Sequence, residues 1–113
     1  DNAAYYDTHI NVPGIILPSC VPGAEHVYHQ YVIRVTDESR LTRDQLAIIL
    51  RERGIGTAVH YPVPLHKQPA FEQCPETCPM AEKLADEVRS IPAHPLVTDD
   101  EREYICRCIN EVE

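Results

Sequence analysis

Val27-Tyr28-His29-Gln30-Tyr31-Val32-Ile33-Arg34-Val35 is the stretch on which the fold turns. A period of two puts Val27, His29, Tyr31, Ile33 and Val35 on one face and Tyr28, Gln30, Val32 and Arg34 on the other. The first face is apolar except for His29. The spacing therefore predicts a half-buried strand over 27–35. Upstream, residues 1–10 read as the end of a helix. Residues 11–26 read as a loop punctuated by Pro13-Gly14, Pro18 and Pro22-Gly23.

Downstream, Thr42 and Gln45 form a T-x-x-Q capping box. Leu46, Ile49, Leu50 and Arg53 then recur at helical spacing, and Gly54 stands where a left-handed C-terminal residue is expected. Residues 56–60 read as a short strand. The next run, Tyr61-Pro62-Val63-Pro64-Leu65-His66-Lys67-Gln68-Pro69, carries too many prolines for a regular helix or a central strand. It is expected to be an extended, pinned loop. Pro79 opens a second helix whose stripe of Met80, Ala81, Leu84, Ala85 and Val88 runs to about Arg89. Ser90-Ile91-Pro92 reads as a brief edge strand. Thr98 and Glu101 cap a last helix with an inner face of Tyr104, Ile105, Cys108, Ile109 and Val112. Short strands between helices imply an α+β domain: a small antiparallel or mixed sheet with helices packed on one face.

Composition narrows the function. The chain has 113 residues, the size of one domain, and is 43% hydrophobic and 25% charged, as ordinary globular domains are. Ten Lys and Arg against 18 Asp and Glu leave a net charge of −8, which argues against a nucleic-acid or anionic-membrane surface. No run approaches the ~18 apolar residues of a membrane helix, and with no charged and apolar leader pattern in the first residues no signal peptide is expected. The first residues have helical character with no initiator methionine, so the chain reads as a piece of something longer. Five cysteines are an odd number for a secreted disulfide scaffold, and a reducing, cytoplasmic setting is expected.

The loop His60-Tyr61-Pro62-Val63-Pro64-Leu65-His66 carries two imidazoles and a phenol on a stiff backbone. Such groups trade protons near neutral pH and donate hydrogen bonds to anions. The competing reading is a surface loop with incidental His and Tyr. His29 reads first as a buried, hydrogen-bonded histidine and second as a site residue. His60 and His66 lack the spacing of a metal pair. Cys74 and Cys78 have a spacing zinc accepts, or could close a disulfide under oxidation. Cys106 and Cys108, however, lie about 200° apart on one helix. Cys108 belongs to its apolar face and Cys106 to a flank, and inert small hydrophobes are expected there rather than ligands. Lys67 and Lys83 both read as surface charges, and no glycine-rich phosphate cradle is present.

Two of these runs resemble motifs of the DegT/DnrJ/StrS sugar aminotransferases. One is His26 through Arg34. The other, more specific, is Arg53-Gly54-Ile55-Gly56-Thr57-Ala58-Val59-His60-Tyr61-Pro62-Val63-Pro64-Leu65-His66. A third stretch, Ala81 through Asp99, resembles the family's ending, while the segment from Glu72 to Cys78 is shorter and richer in cysteine than the family pattern. The resemblance covers the chain from 1 to 113, but only the family's C-terminal small domain, which is similar to that of fold-type I aminotransferases. It divides the chain into a lead-in at 1–26 and the small domain at 27–113.

The resemblance implies a pyridoxal-phosphate enzyme of polysaccharide biosynthesis that moves an amino group from glutamate to a nucleotide-linked keto sugar. It implies that the full-length enzyme is a homodimer and holds pyridoxal phosphate. A missing N-terminal large domain would carry the aldimine lysine, the aspartate facing the pyridine nitrogen and most phosphate contacts. By the same resemblance His60 and Tyr61, and more weakly His29, face the substrate. No catalytic, cofactor-binding or metal-binding residue is expected in this chain, and no cofactor is expected on it alone. The rival readings are a small metal or redox module built on the cysteines, and a non-catalytic interaction domain.

Overall fold

The structure, a computed structural model, describes residues 1–73 and 76–112. It contains helices α1 (Asn2–His9), α2 (Arg43–Glu52), α3 (Pro79–Glu87) and α4 (Asp99–Asn110). Strands β1 (Ile15–Ile16), β2 (Tyr31–Val35) and β3 (Val88–Ile91) form one antiparallel sheet in that order. The α+β class is as expected.

The strand β2 keeps its predicted parity but starts four residues late. Tyr31, Ile33 and Val35 are buried, and Val32 and Arg34 are half-buried. Tyr28, however, has φ +50°, its N–H donates to Nδ1 of His26 at 2.9 Å, and the two rings stack at 4.1 Å. That local turn breaks the alternation. It leaves Val27 85% exposed and His29 exposed, so the expectation of a buried histidine on the strand face is overturned.

The buried face of β2 meets Ala3 and Tyr6 of α1, Leu46 and Leu50 of α2, and Ile105, Cys106 and Ile109 of α4. Tyr6 and Tyr31, both fully buried, pack edge to face at 5.1 Å, worth about 1 kcal/mol beyond the area they bury. Each hydroxyl has a partner. Tyr6 donates to the Pro92 carbonyl at 2.6 Å and Tyr31 to Asp7 Oδ1 at 2.5 Å. Burial pushes the Tyr6 phenol up to about 12. Burial, and then the bond to Asp7, also raise that of Tyr31. From the opposite parity of β2, Arg34 sends Nε and Nη2 to one oxygen of the buried Glu87, at 2.9 and 2.6 Å, and so ties α3 to the sheet. Removing Arg34 would leave the buried Glu87 carboxylate with only Lys83, 3.8 Å away, and so destabilise the fold.

Both predicted capping boxes form, at Thr42 with Gln45 and at Thr98 with Glu101. Five expectations need correction. The two-residue strand β1 lies inside the segment read as loop. It pairs Ile15 with Val35 and Ile16 with Arg34. Residues 56–60 form no strand beyond a single bridge between Ala58 and Ser90. The helix α3 ends at Glu87 rather than near Arg89, because Val88 turns extended to pair with Arg34. Cys106 is buried rather than flanking, and Tyr104 of the expected inner face is 37% exposed. No helix among the described residues is long and apolar enough to cross a membrane.

Candidate functional site

The proline loop leaves the sheet edge at the Ala58–Ser90 bridge, whose two backbone bonds measure 3.1 and 2.7 Å. Prolines 62, 64 and 69 limit its backbone freedom. Two single 3-10 turns, Leu65–Lys67 and Pro69–Phe71, close its far side, and the Gln68 side chain donates back to the Val63 carbonyl at 3.2 Å. One carboxylate of α3 then fastens it. Glu82 Oε2 accepts from Lys67 Nζ at 2.7 Å and Oε1 meets His66 Nε2 at 2.9 Å. Lys67 first, then His66, hold the Glu82 carboxyl below the usual range.

Pinned in this way, the loop turns His60 and Tyr61 outward. The two rings meet edge to face at 5.6 Å, and Tyr61 is 75% exposed. They stand at the rim of an open groove of about 580 Å³ whose wall includes Val63, Leu65, Leu84 and Val88. An apolar wall with a few polar groups at its edge suits a ligand with a flat or ring-shaped body and oxygen substituents. His60 is itself oriented, with Gln30 Nε2 3.1 Å from its Nδ1 and Gln30 Oε1 3.4 Å from Ser90 Oγ.

The structure thus brings His60 and Tyr61 onto one groove. It places His29 on another, of about 660 Å³, beside Tyr28, His94 and Arg102. His66 serves the loop rather than the groove rim, and turns to Glu82 while His60 turns to Gln30. Gln30, Ser90 and Glu82 were not legible as site residues. Their roles depend on strand register and on the docking of α3, and no spacing in the chain signals either.

Both lysines sit in ion pairs on the surface. Lys67 Nζ lies on Glu82, and Lys83 Nζ lies 3.8 Å from Glu87 on the same helix. Among the described residues no three of His, Cys, Asp and Glu gather as a metal site. Cys74, half of the spacing noted in the sequence, lies outside the described residues. Cys106 is buried near Tyr6 and Tyr31, and burial raises its thiol to about 11, which keeps it protonated and unreactive.

The model of the DegT/DnrJ/EryC1/StrS aminotransferase family matches residues 1–110. The chain is 37% identical to the dTDP-3-amino-3,6-dideoxy-alpha-D-galactopyranose transaminase of Aneurinibacillus thermoaerophilus, over 96% of this chain and 29% of that protein. It is 38% identical to the dTDP-3-amino-3,4,6-trideoxy-alpha-D-glucose transaminase of Streptomyces venezuelae, over 97% of this chain and 28% of the relative. The crystal structure of Streptomyces venezuelae DesV in complex with a ketimine intermediate superimposes with a TM-score of 0.85 at 32% identity, over 97% of this chain and 29% of DesV. The chain therefore spans under a third of the length of the relatives it matches.

Proposed function

The chain belongs to the DegT/DnrJ/EryC1/StrS aminotransferase family, and from that premise we propose that it is the C-terminal small domain of a cytoplasmic, pyridoxal-phosphate-dependent nucleotide-sugar aminotransferase. In this reading residues 27–113 form the domain proper and 1–26 lead into it. A large N-terminal domain outside this chain holds the cofactor and supplies the lysine, and the whole enzyme is a homodimer. Glutamate donates the amino group, and a nucleotide-linked keto sugar receives it. Support for the substrate class comes from the relatives, two of which are transaminases of dTDP-linked amino sugars.

The observation that carries the reading is the outward pair His60 and Tyr61 on a loop fastened at both ends. The two side chains receive the sugar's oxygens, and the apolar groove beside them keeps water from its ring. His29, on its separate groove, is a secondary contact. Pyridoxal phosphate, where it is bound, supplies the electron sink for moving the amino group. In this reading the lysine that holds it lies in the large domain, so this chain alone does not transaminate.

The test separates the two half-reactions. In the whole enzyme, His60→Ala and Tyr61→Phe should each raise KM for the nucleotide sugar about tenfold, the effect of losing one hydrogen bond of about 1.4 kcal/mol. The half-reaction with glutamate should stay at the wild-type rate. Equal loss in both half-reactions would refute the assignment of these residues to the sugar. Turnover by the isolated chain, with a borohydride-trapped adduct on Lys67 or Lys83, would refute the division of labour.

A further inference from the structure

Three segments far apart in the chain meet behind His60. Gln30 immediately precedes β2, Ser90 lies within β3 opposite Val32, and His60 follows Ala58, whose backbone bridges to Ser90 in both directions. The hydroxyl of the buried Ser90 donates to Gln30 Oε1 at 3.4 Å, and Gln30 Nε2 faces His60 Nδ1 at 3.1 Å. A carboxamide has fixed polarity: its oxygen only accepts and its nitrogen only donates. The structure turns Oε1 to Ser90 and the Gln30 N–H to Nδ1, an arrangement in which Nδ1 offers a lone pair. A neutral imidazole in that position carries its proton on Nε2.

We propose that Gln30, braced by Ser90, is a positioning residue that locks His60 in the Nε2–H tautomer. The imidazole then meets whatever enters the groove as a hydrogen-bond donor to oxygen. This rests on the reading of His60 as a substrate-side group and adds its chemical role. The group it contacts is an acceptor oxygen of the sugar, such as a carbonyl, a hydroxyl or a phosphate ester. A ligand amine or ammonium is disfavoured at that point, since donor would face donor. The backbone bridge makes the arrangement stiff, because the segment that carries His60 and the strand that carries Ser90 move together.

The test reads the tautomer directly and needs no substrate, so its result is separate from whether sugar binds. The full chain is labelled with 15N-histidine and its long-range 1H–15N correlations are recorded at about pH 8, above the ordinary histidine titration range. The expected wild-type spectrum has a pyridine-type Nδ1 and a pyrrole-type Nε2 at His60. Gln30→Leu and Ser90→Ala should move the Nδ1 signal toward the value averaged between tautomers. Gln30→Glu, which puts an acceptor on Nδ1, should invert the pattern to Nδ1–H. The His66 signals, set by Glu82, should stay in place in all three variants and report that the loop is intact. An averaged or Nδ1–H wild-type spectrum overturns the proposal, whatever the variants do. So does a Gln30→Leu spectrum in which His60 is unchanged.

Discussion

At the scale of the residue, side chains of one type do different work according to where the fold puts them. His60 and His66 are six positions apart, yet one is held by an amide behind the groove and the other by a carboxylate on α3. Tyr6 and Tyr31 are sealed and hydrogen-bonded, whereas Tyr61 stands in solvent. Gly14 is a tightly constrained backbone position. It has φ +78°, a Cβ there would overlap the Ser39 backbone, and its carbonyl accepts from Thr36 N–H at 2.8 Å and from the Thr36 hydroxyl at 3.0 Å. Left-handed strain and steric overlap add, so Gly14→Ala should destabilise the fold by roughly 2–4 kcal/mol. Urea unfolding is the check, and a loss under about 0.5 kcal/mol would mean that the close approach of Gly14 to Ser39 tolerates a side chain.

At the scale of the element, caps and patterns decide where helices begin, and pairing decides where one of them ends. Thr42 and Thr98 start α2 and α4 as their capping boxes require. The helix α3 stops because Val88 and Arg89 pair with Arg34 and Ile33, which the local pattern does not report. The proline loop is an element of its own, and its clasp is Glu82. The Glu82 carboxyl is depressed in the folded state, so its contribution to stability is present above the unfolded carboxylate value of about 4.3 and is lost as pH falls through the lower folded value. Glu82→Gln should therefore unfold more easily than wild type at neutral pH, and the two stability curves should converge as pH falls below the lowered folded value. A gap that stays constant throughout that fall would show that the clasp acts by packing alone.

At the scale of the whole molecule, one core collects residues from α1, α2, α4 and the sheet, and α3 with its loop is bound to the far parity of β2 by the Arg34–Glu87 pair. The cysteines report this division. Cys20 and Cys78 are exposed, and Cys106 and Cys108 are buried. A thiol reagent should label the first two rapidly in the native chain. Cys106 and Cys108 should react only as fast as the molecule opens globally. Rapid labelling of Cys106 in the native protein would mean that α4 leaves the core without general unfolding. The groove, by contrast, belongs to no single element. It is assembled from the loop after the Ala58 bridge and the stripe of Ala81, Leu84 and Ala85 on α3, with Leu65 left exposed.

What the sequence determined by itself was whatever depends on neighbours in the chain. The two capping boxes, the proline start of α3, the parity of Tyr31, Ile33 and Val35, and the stiff His60-Tyr61 loop are all local arrangements of backbone and side chain. The family resemblance came from the same runs. Tertiary structure alone decided the rest. The strand β1 is two residues long and exists because β2 offers it hydrogen-bonding partners. The turn at Tyr28 and the exposure of His29 depend on a ring stack and a positive φ that alternation does not encode. Cys106 is buried because Tyr6 and Tyr31 arrive opposite it. Gln30 and Ser90, 60 positions apart, come together behind His60 only through an antiparallel register. Period and propensity act over a few residues, whereas register is set by the summed packing of a face whose other half lies elsewhere in the chain.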